Sequence, residues 1–596
     1  MKYTGGQAIA EQLVREKVSH MFAIPGHGNT ALLDAFVERR SEINVLPAMH
    51  EQGASHMADG FYRTSGKIAA VCVSIGPGAT NTLTGVATAF ADSTPQLLIT
   101  GAPHTYFAGR GVLQEINRTH DANFPRMVEP VVKRWWQPGT LQQFPRMLDQ
   151  AFRSMQEGRK GPVLLDIPQD LQADSAELEL IPPRHHVSAP PRGDAFAIDS
   201  AAKLLLGAER PVIVAGGGVI AACASAEMVS LAEHLGIPVT VSFMGKSAIA
   251  EDHFLYAEPL GDMGSLSGNT MTREADVVLA IGCKFSDRIT SSYREGITFT
   301  SGTKFIQIDI DPFEIGRNYP VEIGIVGDAK LVLTELLESV RSYRPNAVDF
   351  NERPQLKRLE ELKTAWYDYL RPFRESDRTP MSISRVLVEA RKVLPRNGII
   401  VTDSSNPQNI AYNEFPVYEP GTHITAGGFS GIGFALPAAI GAQMGAPNTP
   451  ILCLCGDGSY LQTGSELAIA AMLGVPVVFL VVNNGGWEAI KNLQLNLFGA
   501  DREIISGFRF KSGEPYQADL ATFAKSLGVN AVRVETPGEL EAALRRGFSE
   551  GQPLVVEALT AREYPWSGQH ADGWWDITVP EYLTAARAKY VEKRGF

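Results

Sequence analysis

The chain has 596 residues, 44% of them hydrophobic and 20% charged, with a net charge of −12. This composition supports several large buried cores and argues against disorder. The negative balance, without a long basic run, argues against nucleic acid or an anionic membrane surface as the main partner.

The opening stretch "MKYTGGQAIAEQLVREKVSH" has no signal-peptide core and reads as an amphipathic helix capped near Thr4. No apolar run reaches the length of a membrane span. Residues 1–185 then alternate helical stretches with the strand-like runs "HMFAIPG", "KIAAVCVSIGPG", "PQLLITGAP" and "GPVLLDIP". Continuous apolar strands between helices indicate a parallel sheet covered on both faces. Glu51 follows the short strand "INVLP" and opens a helix, where a carboxylate already favours the helix dipole. His27 lies on the glycine loop "IPGHGN", Gly78 on "SIGPGATN" and Gln114 in "VLQEI".

The proline-rich 181–194 stretch reads as a linker. A second α/β segment, 195–345, carries "AGGGVI" and "IDID", and Asp309 stands at a strand end suited to a ribose or adenine. A third segment, 375–560, resembles the first in its alternation, which suggests an old duplication. The expected fold is therefore α/β, with three doubly wound parallel-sheet domains. A tail, 561–596, follows, in which an aromatic cluster of Trp566, Trp574, Trp575 and Tyr582 is expected before a basic helix carrying Arg587, Lys589, Lys593 and Arg594, a composition suited to a lid that excludes water and meets phosphates. The five cysteines, Cys72, Cys223, Cys283, Cys453 and Cys455, show no ligand spacing. Cys453 and Cys455, two apart on a strand, are expected in the core, and a reducing cytoplasm fits the set.

The most specific signal is in the third segment. "ILCLC" delivers the chain to Gly456, Asp457 and Gly458, with Ser459 following; twenty-four residues lie between this turn and Asn483-Asn484, the end of "PVVFLVV". Glycines let backbone amides approach phosphate oxygens. Asp457, the Asn484 amide oxygen and the Gly486 carbonyl are hard donors of the kind Mg²⁺ takes beside substrate phosphates. Both turns fall at the carboxyl ends of parallel strands, where open α/β sheets bind ligands.

With the GDG and NN turns so spaced, the chain from residue 1 to about 560 resembles the thiamine diphosphate-dependent enzymes of the acetolactate synthase and pyruvate oxidase group. The resemblance implies that Asp457, Asn484 and the Gly486 carbonyl hold Mg²⁺. Asn406 and Pro407 of "TDSSNPQN" would contact the diphosphate, and Ser430 and Ile432 of "AGGFSGIGF" the aminopyrimidine, with Ile432 as the wedge that bends the cofactor. Glu51 would contact N1′ of the aminopyrimidine and promote loss of the thiazolium C2 proton, since a carboxyl in an apolar pocket can share a proton with a ring nitrogen. His27, Gly78 and Gln114 would line the cleft. The first domain of one subunit would face the third domain of another, implying a homodimer or homotetramer. The central domain would hold FAD, ADP with part of CoA, or nothing.

After the second asparagine the chain departs from acetolactate synthases. "GGWEAIKNLQ" has Glu488 and Ala489 where they carry Gly and Met, and Leu493 replaces a Trp. Together with the tail, this favours a 2-hydroxyacyl-CoA lyase acting on an acyl-CoA, with Glu488 as acid or base on the 2-hydroxyl. An acetolactate synthase-like carboligase or 2-oxoacid decarboxylase is the alternative, followed by a cyclic-diketone hydrolase and a non-catalytic cofactor-binding subunit.

Overall fold

The computed structural model describes residues 1–115, 123–183, 189–562 and 573–594. Thr4 caps the first helix, Gly5–Arg15, through a reciprocal pair of bonds with Gln7, so the orphan amides at the helix start are satisfied locally. Lys2–Thr4 pairs antiparallel with Ser175–Glu177.

Three six-stranded sheets carry the fold, and every pairing within them is parallel. In spatial order the first runs Asn44–Pro47, His20–Ala23, Ala70–Val73, Leu97–Ala102, Val163–Pro168 and Arg134–Trp136. The third runs His423–Thr425, Ile399–Thr402, Ile451–Gly456, Val478–Asn483, Leu554–Leu559 and Asn530–Val534. Numbered within each domain, both have the order 2-1-3-4-6-5, so the likeness of their sequences extends to topology. The central sheet runs Tyr256–Pro259, Val239–Val241, Pro211–Ala215, Val277–Ile281, Lys304–Asp309 and Ile323–Val326, the doubly wound order 3-2-1-4-5-6.

Successive strand residues go to opposite cores, as the two-residue period requires. Ile399, Val401, Ile451, Cys453 and Cys455 enter one apolar cluster; Ile400, Leu452 and Leu454 enter another on the far face. The cluster that takes Cys453 and Cys455 also takes Phe22, Val71 and Val73 of the first sheet, so one core joins the first and third domains. Its centre is the crossing of the helices Glu51–Ser65 and Ala435–Gly445. A Cβ on Gly60 would stand 2.0 Å from the Ala438 carbonyl oxygen, and one on Gly441 would stand 1.9 Å from that of Met57. These two glycines let the backbones touch. No helix among the described residues is long and apolar enough to cross a membrane.

Candidate active site

Strands Ile451–Gly456 and Val478–Asn483 are hydrogen-bonded neighbours, with Gly456 opposite Val482. The glycine-flanked Asp457 and the asparagine turn therefore emerge side by side at one sheet edge. Asp457 binds the two together. Its Oδ1 accepts the Gly458 amide at 2.8 Å, and its Oδ2 accepts the amides of Gly485 at 2.7 Å and Gly486 at 3.1 Å. A carboxylate offers about four lone-pair positions, so three amides leave roughly one for a cation. Burial pushes the Asp457 carboxyl up to about 6, against the pull of the three amides.

The two asparagines have different tasks. The Asn483 side chain turns inward and donates to the Ala518 carbonyl at 3.0 Å and to Glu557 at 2.6 Å. Asn484, one residue on, is buried beside the turn. Trp487 packs its ring on Gly458, where a Cβ would stand 2.2 Å from the indole, so only glycine fits there.

Two further strand ends converge on this edge. Asp403, after Ile399–Thr402, accepts the amides of Gly433 at 3.0 Å and Ala435 at 2.8 Å, and the Ser459 hydroxyl also bonds it. Burial raises its carboxyl to about 6. Asn406 and Pro407 open the helix Asn406–Glu414, and both polar atoms of the Asn406 side chain are buried without a protein partner. Such a carboxamide requires a ligand or water to satisfy it. Ser430 has φ +57, in the left-handed region that costs a non-glycine residue, and its hydroxyl lies 2.7 Å from that of Ser404. Ile432 is half-buried on the same loop.

The residues expected in the first domain also gather at strand ends. Glu51 opens the helix Glu51–Ser65; Asn81 Nδ2 donates to its Oε2 at 3.0 Å, and a Cβ on Gly78 would lie 3.3 Å from its Oε1. The loop bearing His27 is pinned by Ser74 Oγ, which accepts the Gly28 amide at 3.1 Å. Gln114 has φ +65, and its carbonyl occupies the space a Cβ on Gly76 would need. The sequence reading missed Glu466. Its carboxylate accepts the amides of His50 at 2.9 Å and Met49 at 3.1 Å, the residues just before Glu51. Its position nine residues after Asp457, in a glycine-serine turn, gave no signal of a contact to residues more than 400 positions away.

Burial pushes the Glu466 carboxyl up from 4.5 to about 7, and Glu51 adds to the rise. The native state thus holds a proton that the unfolded chain has released, so this group's stabilisation is present below about pH 4.5 and fades as pH approaches 7. Denaturant unfolding at several pH values should show Glu466→Gln gaining on the parent by about 3 kcal/mol across that window. A constant difference would contradict the assignment.

Three family models match the chain: "Thiamine pyrophosphate enzyme, N-terminal TPP binding domain" over residues 3–121, the central domain over 198–336 and the C-terminal TPP binding domain over 403–558. A protein named "Probable acetolactate synthase large subunit" from Methanococcus aeolicus is 34% identical over 93% of this chain and 91% of its own length. The chain belongs to the thiamine pyrophosphate enzymes, in the acetolactate synthase and pyruvate oxidase group. A like-named protein from Methanocaldococcus jannaschii is 36% identical over the same shares, and the "Acetolactate synthase large subunit" of Haemophilus influenzae is 32% identical over 94% and 95%. These relatives agree with the carboligase alternative rather than with the 2-hydroxyacyl-CoA lyase reading.

The remaining parts of this thiamine pyrophosphate enzyme are arranged as follows. Glu488 opens the helix Glu488–Phe498, buried, with Oε1 3.0 Å from Lys491 Nζ and Oε2 without a partner. Leu493 packs on Phe243, Met263 and Tyr412. In the central domain, Asp309 is buried, accepts the Asp311 amide at 2.9 Å and is raised by burial to about 6. The tail corrects one expectation. Trp574 and Trp575 do not cluster with Tyr582, which is exposed. They lie on two separate cations of the central domain, Trp574 on Arg294 at 5.2 Å and Trp575 on Arg288 at 4.9 Å. Two tail cations are also engaged within the tail: Arg587 donates to the Val579 carbonyl at 2.8 Å, and Arg594 stands 3.8 Å from Asp576. Trp566 lies outside the described residues.

Proposed function

We propose that this chain is a magnesium- and thiamine diphosphate-dependent carboligase that takes a 2-oxo acid as donor and joins the remaining acyl unit to a second carbonyl compound. Magnesium and the diphosphate are supported by Asp457, which ties the two turns of the third domain at one sheet edge, and the carboligase reading by the likeness to proteins named acetolactate synthase. Among the described residues no three His, Cys, Asp or Glu side chains gather as a ligand group. A divalent cation would therefore rest on Asp457, the Asn484 amide, the Gly486 carbonyl and phosphate oxygens, a set that fits Mg²⁺. The buried, partnerless Asn406 carboxamide suits the diphosphate, and Ser430 and Ile432 suit the aminopyrimidine. Thiamine diphosphate, when bound, supplies the carbon nucleophile and the electron sink.

Glu51 would hold and return the proton at N1′. A second copy of the chain would complete the site. Glu51 starts its helix, whereas Arg63, twelve residues later, holds Thr425 next to the 426–432 loop at 2.8 Å. Twelve helical residues span about 18 Å, so Glu51 stands a helix length from the Thr425 end of that loop. Trp487, Glu488 and Leu493 would shape an acceptor pocket unlike that of the acetolactate synthases.

Turnover of pyruvate against a 2-hydroxyacyl-CoA, each with magnesium and thiamine diphosphate, tests the reading. Consumption of pyruvate with carbon dioxide release is expected. Turnover of the CoA ester alone would overturn the carboligase reading in favour of a lyase.

A further inference from the structure

Three domains meet around a buried charge cluster. Asp92, on the first domain, has a fully buried side chain. Its Oδ1 accepts the Gly428 amide of the third domain at 2.8 Å, and its Oδ2 accepts Arg63 Nη2 at 3.1 Å. Arg63 in turn donates to the Thr425 carbonyl at 2.8 Å and to Asp59 at 2.5 Å. The central domain joins in next to Asp92 through Lys284, which donates to the Ala91 carbonyl, as does Arg159 of the first domain. A larger residue does not fit at 428 in this arrangement, since a Cβ there would lie 2.2 Å from Asp92 Oδ1.

The 426–432 loop is thus anchored at both ends by buried carboxylates. Asp403 holds Gly433 and Ala435 from within the third domain, and Asp92 holds Gly428 from another domain. Ser430, Gly431 and Ile432 lie between the anchors, with Gly431 close to Thr84 and Thr88 of the first domain. The exposed Phe429 contributes little burial to fix the span, so hydrogen bonds at its ends must do so.

We propose that Asp92 is a positioning residue for the aminopyrimidine half of the cofactor. By holding the Gly428 amide, and Thr425 through Arg63, it sets the course of the loop that presents Ser430 and Ile432. The proposal rests on the thiamine diphosphate reading. It separates the two halves of the cofactor: Asp92 bonds Gly428 and Arg63 directly, and reaches the diphosphate turn only through the loop, by way of Ser430 and Ser404, so the ring half depends on it most.

Titration calorimetry of the full-length protein with magnesium and either thiamine diphosphate or inorganic pyrophosphate tests this. Loss of a charged acceptor should raise the thiamine diphosphate dissociation constant of Asp92→Ala about tenfold or more. The pyrophosphate constant should stay within about twofold. Asp92→Asn keeps an oxygen for the Gly428 amide but no charge for Arg63; it should fall between Asp92→Ala and the parent, and it serves as the reading if Asp92→Ala does not fold. Equal weakening of both ligands would make Asp92 a general structural residue and overturn the proposal, as would no weakening of either. A parent protein that binds pyrophosphate but gains nothing from the thiamine moiety would overturn the cofactor reading itself.

Discussion

Asp457→Ala is expected to raise the dissociation constant for magnesium thiamine diphosphate by at least about a hundredfold, since loss of even an outer-shell partner of a metal ligand costs about 10–100-fold. The carboxylate has two tasks there. It offers a hard oxygen to the cation, and it accepts three amides at 2.7–3.1 Å that hold two separate turns in register. Hydrogen bonds to a charged group contribute about 1.5–3 kcal/mol each, and buried amides left without an acceptor cost more. Melting temperature should therefore fall along with affinity. Asp457→Asn separates the two effects. Its single oxygen can still accept from Gly485 and Gly486, so stability should recover in part, whereas cofactor affinity should not, because the charge facing the cation is gone. Calorimetric titration and thermal unfolding of both variants check this; parent-like affinity in Asp457→Ala would contradict it.

Glu51→Gln should slow hydrogen–deuterium exchange at the thiazolium C2 by about 10²–10⁴-fold, the usual contribution of a positioned acid or base. Cofactor binding should change little. A carboxamide fills the same space beside Gly78 and still bonds Asn81, but it cannot take up or return a proton at N1′. Proton NMR of acid-quenched samples follows the exchange. A parent-like rate in Glu51→Gln would remove Glu51 from the chemistry.

The sheets were legible in the sequence because parallel strands covered on both faces must be apolar throughout, as "ILCLC" and "PVVFLVV" are. The Asp457 and asparagine turns were legible because glycine and hard oxygen donors at consecutive strand ends have few other uses. Asp92, Arg63 and Glu466 were not. Each reads as an ordinary surface charge at a helix or turn, and each is buried by a partner from a distant segment that local periodicity cannot reveal. The tail misled for a related reason. Aromatic and basic residues close in sequence suggested a single cluster, but Trp574 and Trp575 each found a separate arginine in the 288–294 segment.

The proposed function requires the two turns at 457 and 484 to hold a metal-bound diphosphate jointly. Crystals grown with thiamine diphosphate and Mn²⁺, measured at the manganese edge, test it most directly. One anomalous peak per chain, in contact with both Asp457 and Asn484 and with two phosphate oxygens, is the predicted result. A peak elsewhere, or cofactor bound with its diphosphate away from these turns, would contradict it.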